Sequence, residues 1–278
     1  MEKSTKKSDR IITILLMLVL VIGLSLLLYP SFSNAWNQRH QTHAIEGYAQ
    51  QVSSLGDEDY EAIWQAAIDY NKTLPERSEI RTLPPEEYAL YEKLLLVGSQ
   101  QVMGYIEIPE IAVELPIYHG TDEAVLQVAI GHLEWTSLPT GGESTHCVVS
   151  GHRGLPSARL FTDLDKLVVG DQFLLHVLDE TLTYEVDQIR IVEPHETDEL
   201  LIQEGKDLCT LLTCTPYGIN SHRLLVRGHR VENQVQAQTV RVTADAMIVE
   251  KLVVAPFVLL PILLVLLVWL LVTTRKRK

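Results

Sequence analysis

Thr210-Leu211-Leu212-Thr213-Cys214-Thr215-Pro216-Tyr217-Gly218 and, past a short connection, His222-Arg223-Leu224-Leu225-Val226-Arg227-Gly228 read as two β-strands joined by a loop. Both runs are rich in β-branched and aliphatic residues, and Pro216 with Gly218 stops the first abruptly. Cys214 therefore ends a strand and faces whatever cleft the loop borders, while the loop brings Arg223 back toward it. A cation near a thiol favours the thiolate and can also stabilise an oxyanion. Arg227 lies four residues beyond Arg223 on the same strand face, so spacing alone does not choose between the two arginines.

Upstream, Ser150-Gly151-His152-Arg153-Gly154 ends another strand in glycine, and His152 projects from it. A histidine beside a soft nucleophile is the minimum for thiol acyl transfer. By itself a loop histidine is more often structural than catalytic. The remaining cysteines, Cys147 and Cys209, sit inside apolar strands and are expected to pack as small hydrophobes. Cys209 and Cys214 are five residues apart, hence on opposite strand faces and about 16 Å apart, too far to bridge. Three cysteines leave at least one thiol free, and a fold stapled by several disulfides is excluded.

The surrounding texture is a succession of short strands, expected at 102–108, 111–118, 145–150, 172–177, 181–192, 208–215 and 223–231. Gly120-Thr121-Asp122, Gly141-Gly142 and Gly170-Asp171 punctuate them, which suits a closed barrel or a sandwich. Residues 30–100 read as mainly helical. Ile45, Tyr48, Ala49 and Val52, then Tyr60, Ile63, Trp64, Ala67 and Ile68, recur at helical spacing, and their aromatic stripe suits core packing.

Two apolar stretches flank this body: residues 11–29, 19 long, and residues 252–272, 21 long. At about 1.5 Å per residue each can cross a hydrocarbon layer about 30 Å thick. Lys3, Lys6, Lys7 and Arg10 precede the first, and Arg275, Lys276, Arg277 and Lys278 follow the second. Positive flanks stay inside, so both termini are expected in the cytoplasm, with residues 30–251 outside and membrane lipid around the spans. The first stretch also admits reading as a signal peptide cleaved near Ser33-Asn34-Ala35, although its length favours an uncleaved anchor. Residues 30–251 carry 15 Lys+Arg against 34 Asp+Glu, a net of −19 that argues against a nucleic-acid partner.

Several motifs in order then carry a resemblance. Gly104-Tyr105-Ile106-Glu107-Ile108-Pro109, Leu115-Pro116-Ile117-Tyr118-His119-Gly120, Ser150-Gly151-His152-Arg153-Gly154-Leu155-Pro156, Phe161-Thr162-Asp163-Leu164-Asp165 and the cysteine motif resemble the sortase family. The segment from His222 to Gly228, with the C-terminal apolar stretch, resembles its class C, pilin-type branch. The resemblance implies a mainly β fold, an eight-stranded β-barrel, here with an N-terminal helical region and two flanking transmembrane helices. It divides the chain into a tail 1–10, a span 11–29, a helical or lid-like region 30–100, a catalytic barrel 101–232, a linker 233–251, a span 252–272 and a basic tail 273–278.

It also implies a triad of Cys214, His152 and Arg223 that cleaves a Leu-Pro-x-Thr-Gly-like sorting signal through a thioacyl enzyme. The acyl group would pass to a lysine amine, with pilins and surface proteins as partners and neither cofactor nor metal. Cell-wall anchoring and an idle membrane-tethered scaffold are the alternatives; a zinc site of Cys147, His146, His152 and Cys214 matches no usual ligand spacing. Class C lids commonly carry an Asp-Pro-aromatic or similar element. Residues 74–85, where a lid would fall, contain neither Asp nor an aromatic residue, so no lid residue is assigned.

Overall fold

The computed structural model describes residues 2–75, 81–98 and 101–233, with side chains from residue 14 onward. The chain forms two units, and the second, residues 34–234, holds the barrel. Helix α1 runs Glu2–Ser53, α2 Asp57–Thr73, α3 Pro85–Tyr91 and the one-turn α4 Glu123–Leu126. The helical stripes are buried in part: Ala49 is exposed, and Val52, Tyr60, Ile63, Trp64 and Ile68 are half-buried. Ile45, Tyr48 and Ala67 are buried, and the Tyr48 hydroxyl donates to the Met103 carbonyl at 3.1 Å, docking α1 on the first strand of the barrel.

Eight strands close the barrel: β1 Val102–Ile108, β2 Val113–His119, β3 Ile130–His132, β4 Thr145–Ser150, β5 Gln172–Val177, β6 Glu180–Val192, β7 Asp207–Thr215 and β8 His222–Arg230. Their order around the barrel is β1-β2-β3-β4-β7-β8-β6-β5, and β5 returns to β1. Only β2–β3 and β4–β7 pair in parallel. On β5, Phe173, Leu175 and Val177 point inward while their neighbours are half-buried, the period-two pattern of a strand with one face on a core. Seven strands stand within two residues of the sequence expectation. The additional one, β3, has only three residues, Ile130-Gly131-His132, too few to show a period.

Among the described residues one helix, Ile14–Ser53, is long and apolar enough to cross a membrane. This corrects the expected localisation: a single span puts its two ends on opposite sides of the bilayer, so it does not place both termini in the cytoplasm. The second apolar stretch, residues 252–272, lies outside the described residues.

Candidate active site

The seam between β4, β7 and β8 sets the geometry. In the antiparallel β7–β8 pair, Cys214 is the register partner of Arg223. Direct partners in such a pair share a face, with Cβ atoms about 4.5–5.5 Å apart. The loop between them closes on itself, with the amides of Ile219 and Asn220 donating to the Pro216 carbonyl at 3.1 and 3.0 Å. Gly218 and Asn220 both take positive φ, where Gly and Asn cost least.

Strand β4 runs parallel to β7 with Ser150 opposite Leu212. Beyond that pair the Gly151 amide donates to the Leu212 carbonyl at 3.1 Å, and the Thr213 hydroxyl donates to the Gly151 carbonyl at 2.7 Å. The next residue on one strand is His152 and on the other Cys214. A Cβ at Gly151 would lie 2.8 Å from both Ile130 Cγ2 and Phe161 Cδ2, so only glycine lets the backbone pass there. The structure thus brings His152, Cys214 and Arg223 to one end of the barrel, each half-buried.

The loop after His152 is held firmly. Arg153 donates to Thr215 Oγ1 at 3.2 Å and pairs with Asp165, so the turn after Cys214 is tied to the segment after His152. From α1, Asn34 Oδ1 accepts from the Arg159 amide at 2.9 Å and Asn37 Nδ2 donates to the Ser157 carbonyl at 2.9 Å. On the other side, Glu123 Oε2 stands 3.7 Å from His152 Nε2, and Gln127 donates to the second Glu123 oxygen. His152 Nε2 is shielded and has no hydrogen-bond partner among the described residues. Glu123 was not legible as a site residue, because α4 is four residues long and no motif marks it.

The two arginines that spacing could not separate differ in their surroundings. Arg223 donates only to the carbonyls of Asn220 and His222, at 3.3 and 3.2 Å, and makes no ion pair among the described residues. Arg227 is the register partner of Thr210 and grips Asp187 with two hydrogen bonds, 2.9 and 3.0 Å long. Its charge is already neutralised from β6.

Cys147 and Cys209 are buried away from this end, in the barrel interior. His146 supports the backbone: its Nδ1–H donates to the Leu201 carbonyl at 2.9 Å and Nε2 accepts from the Thr210 hydroxyl at 2.8 Å. Burial pushes the His146 imidazole down to about 4, which keeps that neutral tautomer in place near neutral pH. Among the described residues no three His, Cys, Asp or Glu side chains converge as a metal site. In the region of the expected lid, Arg81 stacks on Trp135 at 4.8 Å and donates to Thr197 at 3.0 Å, while residues 76–80 lie outside the described residues.

Comparison with known proteins agrees with this geometry. A family model described as the sortase domain matches residues 106–231. Sortase D of Bacillus subtilis is 34% identical over 134 residues, covering 47% of this chain and 65% of that protein. The crystal structure of sortase C1 from Streptococcus agalactiae is 52% identical, with a TM-score of 0.67, covering 69% of this chain and 100% of that one. Sortase C from Streptococcus pneumoniae is 47% identical, with a TM-score of 0.62 and coverage of 69% and 97%. Sortase C from Clostridium perfringens, solved with a C-terminal cell wall sorting motif, is 45% identical, with a TM-score of 0.61 and coverage of 69% and 100%. With an eight-stranded barrel that presents a cysteine, a histidine and an arginine at one end, and with relatives matched over nearly their whole solved length, this chain belongs to the sortase family of cysteine transpeptidases, in its class C branch.

Proposed function

We infer that the chain cleaves a Leu-Pro-x-Thr-Gly-like sorting signal and joins the released acyl group to a lysine amine of a pilin subunit. The observation that carries this reading is the cross-strand pairing of Cys214 with Arg223 beside the His152 turn. Cys214 attacks the threonine carbonyl, and the bond to glycine breaks to leave a thioacyl enzyme. His152 protonates the departing amine and later takes a proton from the incoming one. Arg223, unclaimed by any described carboxylate, donates to the carbonyl oxygen as negative charge develops on it. The contrast with Arg227, held by Asp187, supports Arg223 in this role.

An N-terminal apolar helix long enough to cross the bilayer anchors such an enzyme at the membrane. On this reading the chain comprises a tail 1–10, a span 11–29, a helical region 30–100, the barrel 101–232, a linker 233–251, a second membrane-embedded stretch 252–272 and a basic tail 273–278. The test incubates the enzyme with a sorting-signal peptide and two competing amines, a lysine-bearing pilin peptide and a cell-wall stem peptide. Ligation to the lysine peptide supports pilin polymerisation. Preferential ligation to the stem peptide assigns wall anchoring, and no ligation with a folded enzyme favours the idle scaffold.

A further inference from the structure

The barrel interior holds two thiols that the acyl-transfer chemistry does not use. Cys147 on β4 and Cys209 on β7 are direct register partners across the parallel pair. Adjacent strands lie about 4.7–4.9 Å apart, inside the Cα separation of about 4.4–6.8 Å that a disulfide spans. Register partners project to one side of a sheet, and both side chains enter the same core, exposed by 2% and 0%. Both are free thiols.

We propose that Cys147 and Cys209 are a dithiol that oxidises to an intramolecular disulfide, stapling β4 to β7. The staple would sit five residues before His152 on one strand and five before Cys214 on the other, at equal distance from the two reacting groups.

With hydrogen peroxide as oxidant, one thiol of the pair loses two electrons to become a sulfenic acid, and the peroxide O–O bond breaks to release water. The sulfur of the other cysteine then attacks the sulfenic sulfur. The S–S bond forms, the S–O bond breaks, and the hydroxide leaves as a second water with the attacking thiol's proton. Oxidant reaches the pair through transient opening of the β4–β7 seam.

The experiment uses the full chain carrying Cys214→Ala, so that only these two cysteines remain. The protein is reduced, then exposed to hydrogen peroxide for several hours a few degrees below its melting temperature. It is denatured in excess alkylating agent and mapped by peptide mass spectrometry. The expected result is a Cys147–Cys209 linked peptide, no alkylation at either position, and reversal by dithiothreitol. Closing a loop of this length is also expected to raise Tm by roughly 5–15 °C. The same treatment of a Cys147→Ser variant is expected to leave Tm unmoved. Two alkylated thiols, or sulfinic and sulfonic acids without a link, would overturn the proposal. No step of the test depends on catalytic activity, so its outcome is independent of the acyl-transfer reading.

Discussion

Replacing Arg223 and Arg227 one at a time with lysine separates their roles. Arg227 is only 11% exposed along its side chain and Asp187 28%, and two hydrogen bonds join them. Lysine keeps the charge but loses the planar fork, so one charge-assisted bond goes. Such a bond contributes about 1.5–3 kcal/mol, of which a repositioned ammonium recovers part, leaving a loss of about 1–2 kcal/mol. For a folded unit of this size that lowers Tm by roughly 2–8 °C. Arg223→Lys touches only two long bonds to backbone carbonyls, so Tm is expected to hold. Its cost falls on turnover, about 10²–10³ in kcat, as for loss of one oxyanion donor. Thermal unfolding together with turnover of a quenched fluorescent sorting peptide reads both quantities. Full activity in Arg223→Lys, with a dead but stably folded Arg227→Lys, would refute the assignment.

Three further perturbations have defined outcomes. Glu123→Gln removes the charge 3.7 Å from His152 and is expected to lower kcat about 2–5-fold with KM unmoved; an unchanged kcat would make the contact idle. Tyr91→Phe strips a buried hydroxyl that accepts from the Gly120 amide at 3.0 Å and donates to His132 Nδ1 at 2.9 Å. Leaving those groups without a partner costs about 2–4 kcal/mol, and a Tm within 2 °C of the parent would contradict the network. For His146, whose folded value near 4 lies below the unfolded value of about 6.5, the unfolded chain binds the extra proton between those limits. Its stabilisation is therefore complete above about pH 6.5 and is lost as pH falls toward 4, up to about 3 kcal/mol. His119 and His176 are also lowered, chiefly by burial, so the wild-type slope is shared. His146→Gln should flatten it in part, and an unaltered Tm–pH slope would contradict the assignment.

Much of this architecture was legible because local pattern and tertiary role agree. The run 210–215 is rich in β-branched and aliphatic residues and is stopped by Pro216 and Gly218, so Cys214 could be placed at a strand end without knowing the barrel. The two helical stripes likewise pointed to Ile45, Tyr48 and Ala67, which are buried, though Ala49 of the first is exposed. What sequence could not supply was register. Arg223 and Arg227 share a face with period two, and only the pairing of β8 with both β7 and β6 sets one beside Cys214 and the other on Asp187. The Cys147–Cys209 pairing joins strands far apart in the chain and is equally invisible locally. Strand β3 is too short to carry a period, and Glu123 acquires significance only because α4 packs beside the turn that carries His152. The expectation of both termini in the cytoplasm rested on two apolar stretches with positive flanks and gave way to a single described span.

The most direct test of the central claim is intact-mass spectrometry of the enzyme quenched in acid while turning over a Leu-Pro-x-Thr-Gly peptide. The predicted result is a mass increase equal to the acyl fragment, mapped to Cys214, chased away by an added lysine-bearing amine and absent in Cys214→Ala. Peptide cleavage with no adduct on Cys214, or an adduct on another residue, would contradict it.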